Sequence, residues 1–503
     1  MSSGKHESYW IETSEFPQFE KLQADINAEV CVVGGGIAGI TSAYLLTKKG
    51  YKVTLIEALK LGHGTTGYTT AKLSAQHELI YDQLISKFGE ETAKIHYQAA
   101  METIEFVKET EKELQADFQF NMEPAYVFTD EEKQISQIEK EWSAYEKLGI
   151  PGALLDDIPL PVSAKKAVRM DQQAQFHPLL FLQAMTKYIT ANGGTIYEDT
   201  RAETINEVGK TTVKLKDGGS VTADHVVIAT HFPFYDFKGA YFARLDMARS
   251  YIVSGKSPLA YPGGMYISID SPSRSVRSAK DKNGETLWLI GGEGHRPGKG
   301  KQMKEHYSNL RNWGRSEFDM KEFEYNWSSE DFISLDSLFY IGRITEQTKN
   351  IYVATAFRKW GMSGGITAAK EIASLIESGE SLHQNIYDPA RNDGAKGIST
   401  LAKNLVEVSK ELVSGKLEKT TKSIDELEPG EAGKIRNKGK LIGVYKDNDG
   451  TLHKVDTTCT HMGCEVHWND AETTWDCPCH GSRFRASGEV IEGPAVKDLK
   501  KAD

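Results

Sequence analysis

Apolar residues come in short runs along the first three quarters of the chain: Val30 to Val33, Val53 to Ile56, Val226 to Ala229 and Ile351 to Ala354, with amphipathic stretches between them. Runs of this length between helix-length segments predict buried strands alternating with helices, an α/β body from about Ala28 to Gly379. From Asp388 to about Leu427 the pattern turns polar and rich in Lys and Glu, which predicts a connector. Within it Ile398, Leu401, Leu405, Val408 and Leu412 recur at spacings of three and four, predicting one helix with a single apolar stripe. That stripe is read as a bridge between domains in preference to a membrane-surface face, despite Lys403 and Lys410. Gly439 to Val455 then reads as short strands joined by a turn at Asn448-Asp449-Gly450, the mark of a small β domain. The expected division is 1–387, a helical linker 388–423, and 424–503.

A length of 503 residues fits several domains, and a net charge of -11 disfavours a nucleic-acid backbone or an anionic lipid surface as partner. No stretch approaches the roughly 20 apolar residues of a spanning helix, and the first residues lack a secretory pattern, so a cytoplasmic location is expected. Four of the five cysteines crowd between Cys459 and Cys479, and such crowding requires a local explanation.

The strand run Ala28 to Val33 meets Gly34-Gly35-Gly36-Ile37-Ala38-Gly39 just before a helical segment, Ile40 to Lys49. Strand, G-x-G-x-x-G and helix together predict a dinucleotide site. Gly34 makes the turn, Gly36 admits the pyrophosphate beside Ile37 and Ala38, and Gly39 lets helix and strand pack closely. A second strand ends in Glu57, 18 residues after Gly39; a carboxylate there accepts from ribose hydroxyls and repels a 2′-phosphate. Cys31, on the strand itself, reads as a small core residue.

These residues resemble the FAD-dependent oxidoreductases of the D-amino-acid oxidase and glycine oxidase type, over about Val30 to Gly379. Gly64-Thr65-Thr66-Gly67-Tyr68-Thr69-Thr70-Ala71 is similar to that family's loop around the ribityl chain and pyrophosphate. Phe176-His177-Pro178, the strand Thr195 to Tyr197 and Thr200-Arg201-Ala202 resemble its second cofactor-contacting element. Val226 to Ala229 and Thr230 resemble the strand against the adenosine, although His231 stands where the family usually has glycine. Phe357-Arg358-Lys359-Trp360-Gly361-Met362-Ser363 resembles the closing loop at the isoalloxazine. The resemblance implies a FAD-binding domain interleaved with a β-rich substrate domain, and FAD held without a covalent link. The absence of a second G-x-G-x-x-G from the sequence argues against a nicotinamide partner. In the central region Arg249, Tyr251, Arg277 and His295, together with Lys359, are candidates for substrate contacts; an Arg there could clamp a carboxylate.

The second constellation is Cys459-Thr460-His461-Met462-Gly463-Cys464, then Cys477-Pro478-Cys479-His480-Gly481-Ser482. Two thiolates and two imidazoles as C-x-H, fifteen residues, C-x-x-H match a Rieske [2Fe-2S] centre, with Cys459 and Cys477 on one iron and His461 and His480 on the other. A zinc site is the alternative, but it needs four ligands in compact pairs where six candidates stand here. An oxygenase would need a further iron on two His and a carboxylate, for which Asp224, His225 and His231 are the nearby candidates; they bracket a strand assigned to the flavin fold. From about Ile424 onward the sequence resembles the Rieske family. That resemblance implies a small β-sandwich, a disulfide between Cys464 and Cys479, a Ser482 hydroxyl donating to a cluster sulfur, and Phe484 where high-potential members have Tyr. Gly493-Pro494-Ala495 resembles the loop covering the cluster.

Flavin handles electron pairs and the cluster single electrons, so the two motifs together predict an oxidoreductase. It would oxidise a small organic substrate, by the resemblance an amine or amino acid, and pass electrons singly to the cluster and an external carrier. The alternatives are a reductase running the other way and an electron-transfer or redox-sensing protein without turnover.

Overall fold

The computed structural model describes residues 4–298, 300, 302–391, 423–437 and 440–502. The helix expected over Ile398 to Leu412 lies outside the described residues.

The predicted strand runs converge on one sheet. Asp25–Val33 is its centre, parallel on one side to Ser220–Ile228 and on the other to Val53–Ile56, with Thr195–Tyr197 parallel beyond. Ile351–Thr355 runs parallel to Ser220–Ile228, and Tyr340–Arg343 closes that edge antiparallel. Val30 to Val33 and the whole of Val53–Ile56 are buried, as a parallel sheet covered on both faces requires. The covering helices are Ile37–Lys48, Pro178–Ala191 and Gly361–Glu377. His177 starts the second of these: its Nδ1 accepts from the Leu180 amide at 3.2 Å, and Pro178 occupies the first turn.

A second, nine-stranded sheet is mostly antiparallel, with Phe323–Ser334, Leu245–Gly255, Thr286–His295 and Arg274–Lys280 at one end and Asn121–Thr129 and Lys166–Gln175 toward the other. Its strands are drawn from between those of the first sheet, so the two domains are interleaved as expected. Arg391 still packs on this body, with Nε 2.6 Å from Asp336, so the body continues past residue 387.

The C-terminal domain has a three-stranded sheet, Ala432–Asn437, Lys440–Lys446 and Leu452–Asp456, and a four-stranded one, His467–Asn469, Thr474–Asp476, Arg483–Arg485 and Val490–Glu492. The turn between Lys440–Lys446 and Leu452–Asp456 places Gly450 at φ +84°, the left-handed region that glycine tolerates. Trp475 and Phe484 are buried at the domain's centre.

Candidate functional site

The glycine turn is built for close approach. Gly34 sits at φ +113°, where a side chain would meet the Ala229 carbonyl, and a Cβ on Gly39 would lie 1.9 Å from the Gly34 oxygen. Glu57 closes the next strand with one carboxylate oxygen accepting from the Gly35 amide at 2.7 Å and the other from Leu59 at 2.8 Å. The Thr66 hydroxyl accepts from the Ile37 amide at 3.0 Å, tying the following loop to the start of the helix.

A cavity of about 790 Å³ runs from this turn. Its wall includes Gly34, Gly36, Ile37 and Ala38 with Glu57 and Ala202, then Thr65, Thr66, Thr70, Ala229 and Thr230, and also Trp360, Gly361 and Met362. Gly39, Ala71 and Ser363 lie behind the wall. Gly39 packs on Gly34, the Ala71 carbonyl accepts from Arg277, and the Ser363 hydroxyl is 2.9 Å from His77 Nε2. His77 in turn stacks on Trp360 at 4.9 Å and fixes its plane. His231 adopts φ +62°, the conformation for which glycine is the usual choice, and is held there by Thr65 at 3.2 Å and the Phe332 ring at 4.6 Å.

Of the substrate-contact candidates, Tyr251, His295 and Lys359 face the cavity. The Tyr251 hydroxyl and both His295 ring nitrogens are buried without a hydrogen-bond partner among the described residues, and the two rings stack at 5.6 Å. Burial, with His306 and Arg249 nearby, lowers the His295 pKa to about 4 and keeps the ring neutral. Burial also pushes Asp331, another wall residue, up to about 6 against the pull of Lys359.

Arg249 and Arg277 are not cavity residues. Arg249 is fully buried in an ion pair with Glu330 at 2.6 Å and lies 3.8 Å from Asp476 of the C-terminal domain. Arg277 donates to the carbonyls of Thr70, Ala71 and Ser278 and so fixes the flavin-side loop. Both are candidates for substrate contact whose guanidinium groups are engaged by protein partners. The sequence reading passed over Lys72. This buried residue lines the cavity, and its ammonium donates to the Tyr266 carbonyl at 2.9 Å and to the Ser275 hydroxyl, with no ion-paired carboxylate among the described residues. Burial and Arg277 lower its pKa to about 7. A lysine inside an otherwise apolar strand start, Ala71-Lys72-Leu73, was the available signal.

The four ligand candidates converge in the C-terminal domain. Cys459 and Cys477 are buried free thiols, while Cys464 and Cys479 form a disulfide. A hydrogen bond with Cys477 lowers the Cys459 pKa to about 7 against its burial, with the His461 amide and the Ser482 hydroxyl assisting. His461 and His480 are 5.0 Å apart at 87°, and both His480 ring nitrogens are buried without a hydrogen-bond partner among the described residues. Two thiols and an orphaned buried imidazole are donors shaped for a metal centre. The sulfurs of Cys464, Cys477 and Cys479 also lie within 4.8 Å of one another, but two are spent in the disulfide. No second metal grouping occurs among the described residues, and His225 lies 3.5 Å from the Tyr352 hydroxyl.

The cavity and the ligand set adjoin. Ile491, Glu492, Gly493, Ala495 and Val496 of the C-terminal domain form part of the cavity wall. Arg296, another wall residue, donates to the carbonyls of Pro478 at 3.2 Å and Cys479 at 3.4 Å, which lie in sequence between Cys477 and His480. Arg201 donates to the Val490 carbonyl at 3.1 Å.

Comparison with known proteins agrees with this geometry. Residues 29–375 match the FAD dependent oxidoreductase family, and residues 419–503 match the Rieske [2Fe-2S] domain. The putative Rieske 2Fe-2S iron-sulfur protein YhfW of Bacillus subtilis (strain 168) is 43% identical over 497 residues, 99% of this chain and 97% of that protein. The gamma-glutamylputrescine oxidoreductase of Escherichia coli (strain K12) is 27% identical over 227 residues, 44% of this chain and 53% of that one. Among solved structures, glycine oxidase from Geobacillus kaustophilus superposes with a TM-score of 0.61 at 16% identity, over 73% of this chain and 99% of that one. No helix among the described residues is long and apolar enough to cross a membrane. The cofactors are FAD and a Rieske [2Fe-2S] cluster, and the chain belongs to the FAD dependent oxidoreductase family, with a Rieske domain over residues 419–503.

Proposed function

We propose that this oxidoreductase removes two electrons from a small amine or amino acid and delivers them one at a time, through the Rieske cluster, to an external one-electron carrier in the cytoplasm. Bound FAD supplies acceptance of an electron pair from a C–H bond beside nitrogen, and the cluster supplies single-electron transfer. The observation that carries this reading is the shared wall: Glu492, Gly493, Ala495 and Val496 of the cluster domain and Lys72, Tyr251 and His295 of the substrate domain face one cavity.

In this reading the chain's own groups select the substrate. Lys72 presents a cation without a bound carboxylate to the cavity, and a substrate carboxylate completes its coordination. The neutral His295 and the open Tyr251 hydroxyl offer hydrogen-bonding sites to the amine end. The disposition of strands seen also in glycine oxidase, and the likeness to an oxidoreductase named for a glutamylated diamine, support a substrate bearing both amine and carboxylate.

The test is an anaerobic screen of amines and amino acids for bleaching of the flavin absorbance. An amino acid that bleaches it, with Lys72→Met weakening that substrate tenfold or more while sparing a carboxylate-free amine, is the expected result. A protein whose flavin no amine or amino acid reduces contradicts the proposal.

A further inference from the structure

The histidine side of the cluster site is enclosed by one loop of the flavin domain. The loop leaves the strand Ser220–Ile228, and its first residues, Ala229 to Phe232, belong to the cavity wall. It then turns through Asp236–Lys238 and reaches Phe242. Phe232 touches both ends of the path: it lines the cavity and stands edge-on to the His461 ring at 6.2 Å. Phe237 packs on His461 at 5.9 Å, and Phe242 meets His480 at 6.1 Å.

Asp236 makes the polar contact in this enclosure. Its Oδ2 lies 3.1 Å from His461 Nε2, and both side chains are at most 5% exposed. Its other oxygen accepts from the Phe242 amide at 2.7 Å, which fixes the carboxylate in the loop. His461 and Asp236 are far apart in sequence and belong to different domains. With Nε2–H donated to the carboxylate, Nδ1 is the nitrogen left to ligate iron. His480 has no such partner among the described residues, so the two histidines are electrostatically unequal.

We propose that Asp236 is a positioning residue supplied in trans by the flavin domain: its carboxylate fixes the His461 ring and holds the cluster at a lower reduction potential than the Rieske domain alone would set. The consequence is that docking and potential are coupled, so the cluster is tuned for exchange with the flavin only while it sits on this loop. The physical ground is that a carboxylate hydrogen-bonded to a metal-ligating imidazole orients the ring and raises its basicity, and a nearby anion disfavours the added electron. The inference is independent of the direction in which electrons flow.

The test is a redox titration of the cluster in the full-length holoprotein, followed by electron paramagnetic resonance, for wild type, Asp236→Asn and Asp236→Glu. Asp236→Asn keeps an acceptor and removes the charge. The expected result is an upward shift on the order of tenfold in the one-electron reduction equilibrium, about 59 mV, with a changed g tensor. Asp236→Glu should stay close to wild type. An Asp236→Asn protein with the wild-type potential and g values overturns the proposal. If Asp236→Asn loses its cluster, retention of the cluster by Asp236→Glu supports the proposal, and equal loss from both overturns it, because shape alone would then account for the effect.

Discussion

Arg483 of the Rieske domain donates to Glu492 at 2.6 Å, and Glu492 is at the same time part of the flavin cavity wall. The pair is one edge of a buried network. Glu472 and Asp476 each lie 3.6 Å from the Arg483 guanidinium, and Asp476 reaches on to Arg249 and, through it, Glu330. Burial works against the Arg483 charge, but Glu492, Asp476 and Glu472 together hold its pKa above the ordinary value. Charges buried in this way are worth little as a set and a great deal individually, since removing one strands the others without water.

Arg483→Met therefore leaves the buried Asp476 and the partly buried Glu472 and Glu492 short of a cation. The expected loss is about 3–5 kcal/mol in denaturant unfolding, accompanied by release of FAD as the wall formed by Glu492 loosens. Unchanged stability and flavin content would mean that the network does not bind the domains together.

Gly39→Ala places a Cβ 1.9 Å from the Gly34 carbonyl, which is backbone and cannot swing aside. The helix must then retreat from the turn that faces the cofactor. The purified variant should be folded by circular dichroism and should carry little or no flavin absorbance, with cluster absorbance retained.

His177 couples pH to stability. Burial, with Arg277 nearby, lowers its pKa to about 3, and the neutral ring is needed because Nδ1 accepts from the Leu180 amide while Nε2 meets the Thr13 hydroxyl at 2.9 Å. The unfolded chain takes up this proton below the ordinary value near 6.5, whereas the folded protein resists until about 3. The contribution is thus fully present above 6.5 and is lost as pH falls toward 3, at about 1.4 kcal/mol per pH unit within that window. Urea unfolding as a function of pH should show this slope, and His177→Asn, which keeps a helix cap, should reduce it.

The local motifs were legible in the sequence because each is short and its chemistry depends on spacing. Gly34 to Gly39 announce a turn before a helix, and Cys459, His461, Cys477 and His480 announce four soft donors wherever the chain around them goes. The disulfide between Cys464 and Cys479, implied only by resemblance, is present. Long-range partners were not legible. Arg249 and Arg277 look like substrate clamps until Glu330 and the Thr70 and Ala71 carbonyls are found to occupy them. Lys72 belongs to no motif, and it reaches the cavity wall through a strand that pairs with the distant Lys166–Gln175. The meeting of Asp236 with His461 has no local signature, since it depends on how one domain sits upon the other. His231 shows the reverse case: a departure from the family's glycine turned out to keep the glycine's backbone conformation.

The proposed exchange of electrons between flavin and cluster within one chain is tested by rapid mixing of the holoprotein with a bleaching substrate under anaerobic conditions, with freeze-quenched samples read by electron paramagnetic resonance. Flavin bleaching should be followed by the reduced-cluster signal at a rate independent of protein concentration. A bleached flavin beside a cluster that stays oxidised, or a cluster signal whose rate rises with protein concentration, would contradict it.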